Sequence, residues 1–271
     1  MTDPAAPFDG PQIAFESFGV AMALATNDEA LWPALERCVP PHATACDADA
    51  VQHRFLVRLG ENGMYDVRYD IREGKPAGEM DPLSWIASTV ERRFALAMAD
   101  AYVHNTVALR APAHVFIQGG VVADGSSAIV LPGKPLTGRT TLVEALVAAG
   151  LSYVSDEYAV LDARGMVSRY ARPLPSGAGA DAELDDPLPV GAIVLTGYRP
   201  GAVWQPERRS SGQTLLSLMA HVVGGQERPE QTMRALKAAI ESGPVVFESP
   251  RDEAQATAEL LVAELQGARS S

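Results

Sequence analysis

Residues 128–150, "AIVLPGKPLTGRTTLVEALVAAG", constrain the fold of this chain more than any other stretch. A short apolar strand runs directly into a loop with Gly133 and Gly138 near its two ends. The loop runs into a segment with helical patterning that stops at Gly150. Glycine gives such a loop the backbone freedom to turn its N–H groups inward, where they cradle an anion. The following helix adds its positive N-terminal end. The pattern G-x-x-x-x-G-K-[ST] is met at Gly133, Gly138 and Thr140, but Arg139 stands where lysine is expected.

The candidate phosphate-binding set is therefore Gly133, Lys134, Pro135, Leu136, Thr137, Gly138, Arg139, Thr140 and Thr141. Thr140 stands at the hydroxyl position that holds Mg²⁺ in such loops, and Thr141 is the second candidate. A planar guanidinium is bulkier than an ammonium and does not fit the same compact point. It can still neutralise phosphate as a fork, and Lys134 inside the loop is a further cation; either Lys134 or Arg139 is expected to replace the missing lysine.

The flanking pattern extends an α/β reading over 109–271. "HVFIQGGVVADGSSAIVLPG" predicts two strands around an Asp124-Gly125 turn. "LSYVSDE" predicts a short strand closing on Asp156 and Glu157. "EYAVLDARGMVSRY" predicts a hairpin turning at Ala163-Arg164-Gly165. A Gly/Pro/Ala/Asp-rich loop follows at 172–189, then a buried strand "VGAIVLTGY", helices at 211–223 and 228–241, a strand "PVVFES" and a final helix at 251–266. Strand, glycine loop, helix and strand with a terminal acid make the core of a P-loop domain. Asp156 falls where a Mg²⁺-binding or proton-accepting carboxylate belongs.

Residues 1–11 read as a tail and 12–108 as a smaller α+β region. There "VQHRFLVRLGENGMYDVRYDI" predicts a hairpin turning at Asn62-Gly63. Asp81-Pro82 reads as a helix start, with Leu83, Ile86, Val90, Phe94, Ala97 and Ala101 at helical spacing over about 20 residues. A net charge of −12 argues against DNA or RNA as a bulk partner. No run of about 18 uncharged apolar residues is present, so no membrane span is expected. Cys38 and Cys46 are too few and too widely spaced for a metal site; they read as reduced thiols and fit a cytoplasmic protein.

From Gly133–Thr141, Gly150, "YVSDEYAVLD", "RPLP" at Arg172–Pro175 and the closing helices around "GPVVFES", the chain resembles the HPr kinase/phosphorylase superfamily, in the HPrK-related branch that does not act on HPr. The resemblance covers about 113–266. It implies ATP and Mg²⁺ as cofactors, a nucleotide partner, and phosphorylation of a serine-like hydroxyl on a peptide, protein or small molecule. It places Asp156 on the family's catalytic acid, Glu157 on the adjacent acid, Thr140 with Asp156 on the metal, and Arg172 within reach of phosphate. It also implies a homo-oligomer. This sequence departs from the family at Arg139, at Pro135 and Leu136 where Ser and Gly are common, and at Gln118, where a histidine is usual. Gln118 can hydrogen-bond a phosphate or water but cannot carry a proton. A second reading is therefore a degenerate module that binds nucleotide or phosphate, or scaffolds a partner, without turnover. His221, in "LLSLMAHVVGG", reads as a helix-end histidine.

Overall fold

The computed structural model describes residues 10–72, 81–134, 137–177 and 187–269. The chain divides into two compact units, Met1–Pro112 and Ala113–Ser271, each with its own mixed sheet.

In the first unit, β1 (Gln12–Ser17) and β2 (Val20–Thr26) form a hairpin whose turn, Phe18-Gly19, has positive φ at both residues, as tight hairpin turns require. A four-residue helix α1 (Trp32–Leu35) and a short strand β3 (Thr44–Ala45) follow. β4 (His53–Leu59) and β5 (Tyr65–Ile71) form the hairpin expected from Asn62-Gly63. β6 (Asp81–Val90) completes the order β3-β1-β2-β4-β5-β6, in which only β2 and β4 run parallel. The segment 81–90 is therefore strand, not the start of a helix. It is antiparallel to β5 with register irregularities, and the Asp66 carboxylate accepts the Thr89 N–H at 2.8 Å, beside Thr89's positive φ. The helix α2 starts only at Arg92 and runs to Arg110. Ile86 and Val90 fit a helical period, but β-branched residues beside a strand-pairing partner settle as sheet.

β4 is covered on both faces, so its alternation is incomplete as a guide. Arg54 and Leu56 are buried as well as Phe55 and Val57. Arg54 is tolerated there because Asp70, itself buried, pairs with both Arg54 (2.7 Å) and Arg68 (2.7 Å). Next to this pair, His53 Nδ1 lies 2.7 Å from the Tyr69 hydroxyl. Burial, and then the charge of Arg110, push the His53 pKa down to about 4. The unfolded chain, with an ordinary value near 6.5, takes up a proton that the folded chain refuses. Stability is thus complete above about pH 6.5 and is lost as pH falls through about 4. The first unit is expected to lose up to about 3 kcal/mol across that window, read as a falling urea midpoint, and His53→Gln should flatten the dependence.

In the second unit, β7 (Val115–Asp124) and β8 (Ser127–Pro132) form the expected hairpin, followed by α3 (Arg139–Ala148) and β9 (Ser152–Ser155). β10 (Tyr158–Leu161) and β11 (Val167–Ser168) make the second hairpin. After β12 (Val190–Leu195) come β13 (Glu207–Arg208), α4 (Ser211–Met219), α5 (Pro229–Glu241), β14 (Val245–Glu248) and α6 (Ala254–Arg269). α4 ends at Met219, short of the expected 223. Half of the 172–189 loop, 178–186, lies outside the described residues.

The strand order is β11-β10-β7-β8-β12-β14-β13, with β9 also pairing β7. β8, β12 and β14 run parallel, so their C-terminal ends lie together. Alternate residues of each strand supply two cores. Val121, Ala123, Val130 and Ile193 pack with Leu218, Leu236 and Ala239 of α4 and α5. Val122, Ile129, Leu131, Val194 and Phe247 pack with Leu142, Leu146 and Leu261 of α3 and α6. The period-2 alternation thus sorts side chains to two faces, each covered by helices, as in a three-layer α/β domain.

Candidate functional site

The site is organised by one point on β7. β9 and β10 run antiparallel to β7 along one edge, with Ser155 opposite Val121 and Tyr158 opposite Gln118. The chain between them, Asp156-Glu157, passes beside Gly119 and Gly120, and Gly119 N–H donates to the Glu157 carbonyl at 3.1 Å. On the opposite edge, β8 ends at Pro132 and Gly133 N–H donates to the Gln118 carbonyl at 3.0 Å. Beyond that, the chain after α4 takes up the vacated edge. Gln118 N–H donates to the His221 carbonyl at 2.8 Å, and Val223 N–H to that of Phe116 at 2.8 Å. Strand pairing therefore brings the glycine loop, the acid pair and His221 together around Gln118–Gly120.

The loop leads into α3 through Gly138, whose φ of +77° suits glycine. Leu142 N–H is the first to meet an intrahelical carbonyl, that of Gly138. The N–H groups of Arg139, Thr140 and Thr141 precede it and have no turn before them to bond. Thr137 closes part of the loop by donating its hydroxyl to the Lys134 carbonyl at 2.8 Å. Pro135 and Leu136 lie outside the described residues.

Arg139 folds back under the loop. Its Nη1 donates to the Gly133 carbonyl at 2.7 Å, tying the loop's last residues to its first. Its stem passes Gly120, where an added Cβ would lie 3.4 Å from Arg139 Cγ and 2.5 Å from Val143 Cγ2. Burial pushes its pKa below the ordinary value, against the pull of Asp156 and Glu157. Lys134 is exposed and, among the described residues, carries no ion pair or side-chain hydrogen bond.

Thr140 donates its hydroxyl to Asp156 Oδ2 at 3.2 Å. Cis positions around a Mg²⁺ ion with 2.0–2.1 Å bonds lie about 2.9 Å apart, so these two oxygens fit as neighbouring ligands of that ion. Among the described residues no cluster of three or more His, Cys, Asp or Glu is built to hold a metal by itself. The donor set thus suits an ion that arrives with phosphate and keeps its waters, as Mg²⁺ does. Asp156 Oδ1 faces the buried Tyr153 hydroxyl at 3.3 Å, while that hydroxyl makes its shorter bond, 2.7 Å, to the Arg172 carbonyl. Burial, and then the Asp156 charge, drive the Tyr153 pKa far up, so it holds its proton.

Glu157 and Arg172 are brought together, but with each other. Arg172 Nη1 lies 2.8 Å from Glu157 Oε2. This pairing differs from the expectation that Arg172 reaches a phosphate. A guanidinium neutralised by a neighbouring carboxylate has less charge to offer a ligand. Thr141 is exposed, and Gln118 contributes through its main chain.

A cleft of about 720 Å³ opens beside the loop, within the range of small-molecule sites. Its walls are the ends of the parallel strands: Gly133 after β8, Thr196 after β12, Glu248 and Ser249 at β14. Ligands of open α/β sheets bind at this end. Lys134, Arg199 and Arg209 line it; Arg209 pairs with Glu248 at 2.7 Å. Glu207 and Glu248 line it too, so Lys134 and Arg199 are the cations of this wall outside that pair. Thr196 and His221 line the cleft as well; their Oγ1 and Nδ1 atoms are buried and have no hydrogen-bond partner among the described residues. Burial lowers the His221 pKa, and the charges of Lys134 and Arg139 lower it further.

No protein-family model and no curated protein matches the chain.

Several residues of the site escape a reading of the sequence. His221 does follow the end of α4, and its carbonyl, bonded by the Gln118 N–H, also sets it beside β7 and the loop. Arg251 is buried and donates from Nη2 to the Gly138 carbonyl at 2.6 Å and from Nη1 to that of Asp252 at 2.9 Å. It lies 113 residues from Gly138. Arg199 and Arg209 stand in loops with no local motif. The one local signal for Tyr153 is its place in the strand that closes on the acids.

Proposed function

We propose that the second unit is a P-loop phosphotransferase similar to the HPr kinase/phosphorylase superfamily. It moves the γ-phosphoryl group of ATP to a serine-like hydroxyl on a peptide, protein or small molecule. The observation that carries this reading is the contact between Thr140 and Asp156, which sets a metal-competent hydroxyl and a carboxylate together at the mouth of a glycine loop. The loop and first-turn amides would hold the phosphates. Bound Mg²⁺ would neutralise charge across the β- and γ-phosphates. The acceptor oxygen attacks phosphorus, the bond to the bridging oxygen breaks, and its electron pair leaves with ADP. The acceptor's proton would go to Asp156 through Oδ1, the oxygen not set beside Thr140 for the metal, since Glu157 is engaged by Arg172.

ADP release from Mg·ATP, absent when Mg²⁺ is chelated, tests the reading. A second reading, a nucleotide- or phosphate-binding module without turnover, is favoured by one contact: Arg139 closes the loop onto Gly133 where a lysine would reach for phosphate. It predicts stabilisation by nucleotide with no ADP formed.

The two cations should separate by substitution. Lys134→Ala removes a solvent-facing charge and is expected to weaken ATP binding about three- to tenfold, more at low salt than at high. Arg139→Ala removes the loop's internal tie and is expected to weaken binding by about tenfold or more and to lower the melting temperature. Calorimetric titration with ATP checks both; no change at either position contradicts their assignment.

A further inference from the structure

The cleft and Asp156 lie on opposite sides of the glycine loop. β9 and β10 flank β7 on the edge away from β8, whereas β12 and β14 lie beyond β8. The loop springs from the end of β8, between them. Asp156 is absent from the cleft's walls. In phosphoryl transfer the attacking and leaving oxygens stand roughly in line across phosphorus. With the proton-accepting carboxylate on the β9 side, the leaving group must extend toward β12 and β14.

We propose that this cleft is a nucleoside pocket, in which Tyr198 is the platform for the base of a nucleoside di- or triphosphate whose phosphates lie on the loop. The inference rests on the phosphotransferase reading. Tyr198 lines the cleft and is 49% exposed. The Arg251 guanidinium stands 5.7 Å from the ring centroid and covers one face. A base would stack on the ring's remaining exposed surface, a contact every nucleobase can make. The platform is fixed by its main chain: Arg199 N–H donates to the Arg251 carbonyl at 2.8 Å, and Arg251 N–H to that of Gly197 at 3.1 Å. The same Arg251 holds the Gly138 carbonyl, so one buried side chain ties the platform to the start of α3. Thr196 and His221 line the same cleft, beside Tyr198 and the loop residues Gly133 and Lys134.

The test compares ADP with pyrophosphate, each titrated calorimetrically with Mg²⁺ into the full chain and into Tyr198→Ala and Tyr198→Trp. ADP is expected to bind the parent protein about tenfold or more tighter than pyrophosphate. Tyr198→Ala should erase most of that advantage with pyrophosphate affinity unchanged, and Tyr198→Trp should keep it. Equal affinity of the parent protein for ADP and pyrophosphate would overturn the pocket while leaving the phosphate loop standing. An ADP advantage that survives Tyr198→Ala overturns it too. Binding of neither ligand would overturn the loop and the pocket together.

Discussion

Asp156→Asn is expected to lower ATP turnover by about 100-fold or more while leaving the fold intact. The substitution is isosteric, so the Thr140 contact and the packing beside Tyr153 are retained. What disappears is the charge beside the Thr140 hydroxyl and, with it, the base proposed to take the acceptor's proton. Glu157→Gln is the informative comparison. Glu157 is paired with Arg172 at 2.8 Å, so its loss should act through the position of Arg172 and the neighbouring loop. Its effect on turnover should be smaller than that of Asp156→Asn. ADP release by both variants, with melting curves alongside, measures the difference. Equal turnover by Asp156→Asn and the parent protein would remove Asp156 from the chemistry.

The largest effect expected on stability lies at the turn of the second hairpin. Gly165 turns the β10–β11 hairpin with φ +75°, and its N–H donates to the Asp162 carbonyl at 3.0 Å. The Asp162 side chain fixes the same turn through the N–H groups of Arg164 (2.8 Å) and Met166 (2.9 Å). A Cβ at Gly165 would fall 2.2 Å from the Ala239 nitrogen and 2.6 Å from the Ala238 carbonyl carbon. These are backbone atoms of α5 and cannot swing aside. Gly165→Ala therefore combines left-handed strain, about 1–2 kcal/mol, with overpacking of about 1–3 kcal/mol. A loss of about 3 kcal/mol lowers the melting temperature by roughly 6–12 °C for a unit of this size. Gly125→Ala is the control within the same unit. It has φ +61° but no atom within 4 Å of the added carbon, so it should show the strain alone.

Much of the second unit is legible in the sequence because its signals are local. Alternation along β7 and β8, an Asp-Gly turn between them, and a glycine at each end of α3 each report the backbone within a few residues. The strand-closing acids are legible for the same reason, being fixed by β9 and the start of β10. The misreading at 81–90 has a physical cause. Asp-Pro is a sound helix start and Ile86, Val90 and Phe94 keep a helical period, but β5 offers this segment a pairing edge that no local pattern records. The cleft was hidden for a related reason. Tyr198, Arg199, Arg209, His221 and Arg251 converge only because β12 and β14 lie beyond β8, and strand order is not a local property. Arg251 is the extreme case, reaching Gly138 across most of the unit.

The loop from Gly133 to Thr141 is expected to grip phosphate, with Thr140 and Asp156 beside it for Mg²⁺. A thermal melt of the full chain with and without Mg·ATP tests it most directly. At about 100 times the dissociation constant, a ligand of the folded state adds about 2.7 kcal/mol. That should raise the second unit's melting temperature by roughly 5–11 °C, with the rise reduced when Mg²⁺ is chelated. Identical melts with millimolar ATP, ADP or pyrophosphate, whether or not Mg²⁺ is present, would contradict the account.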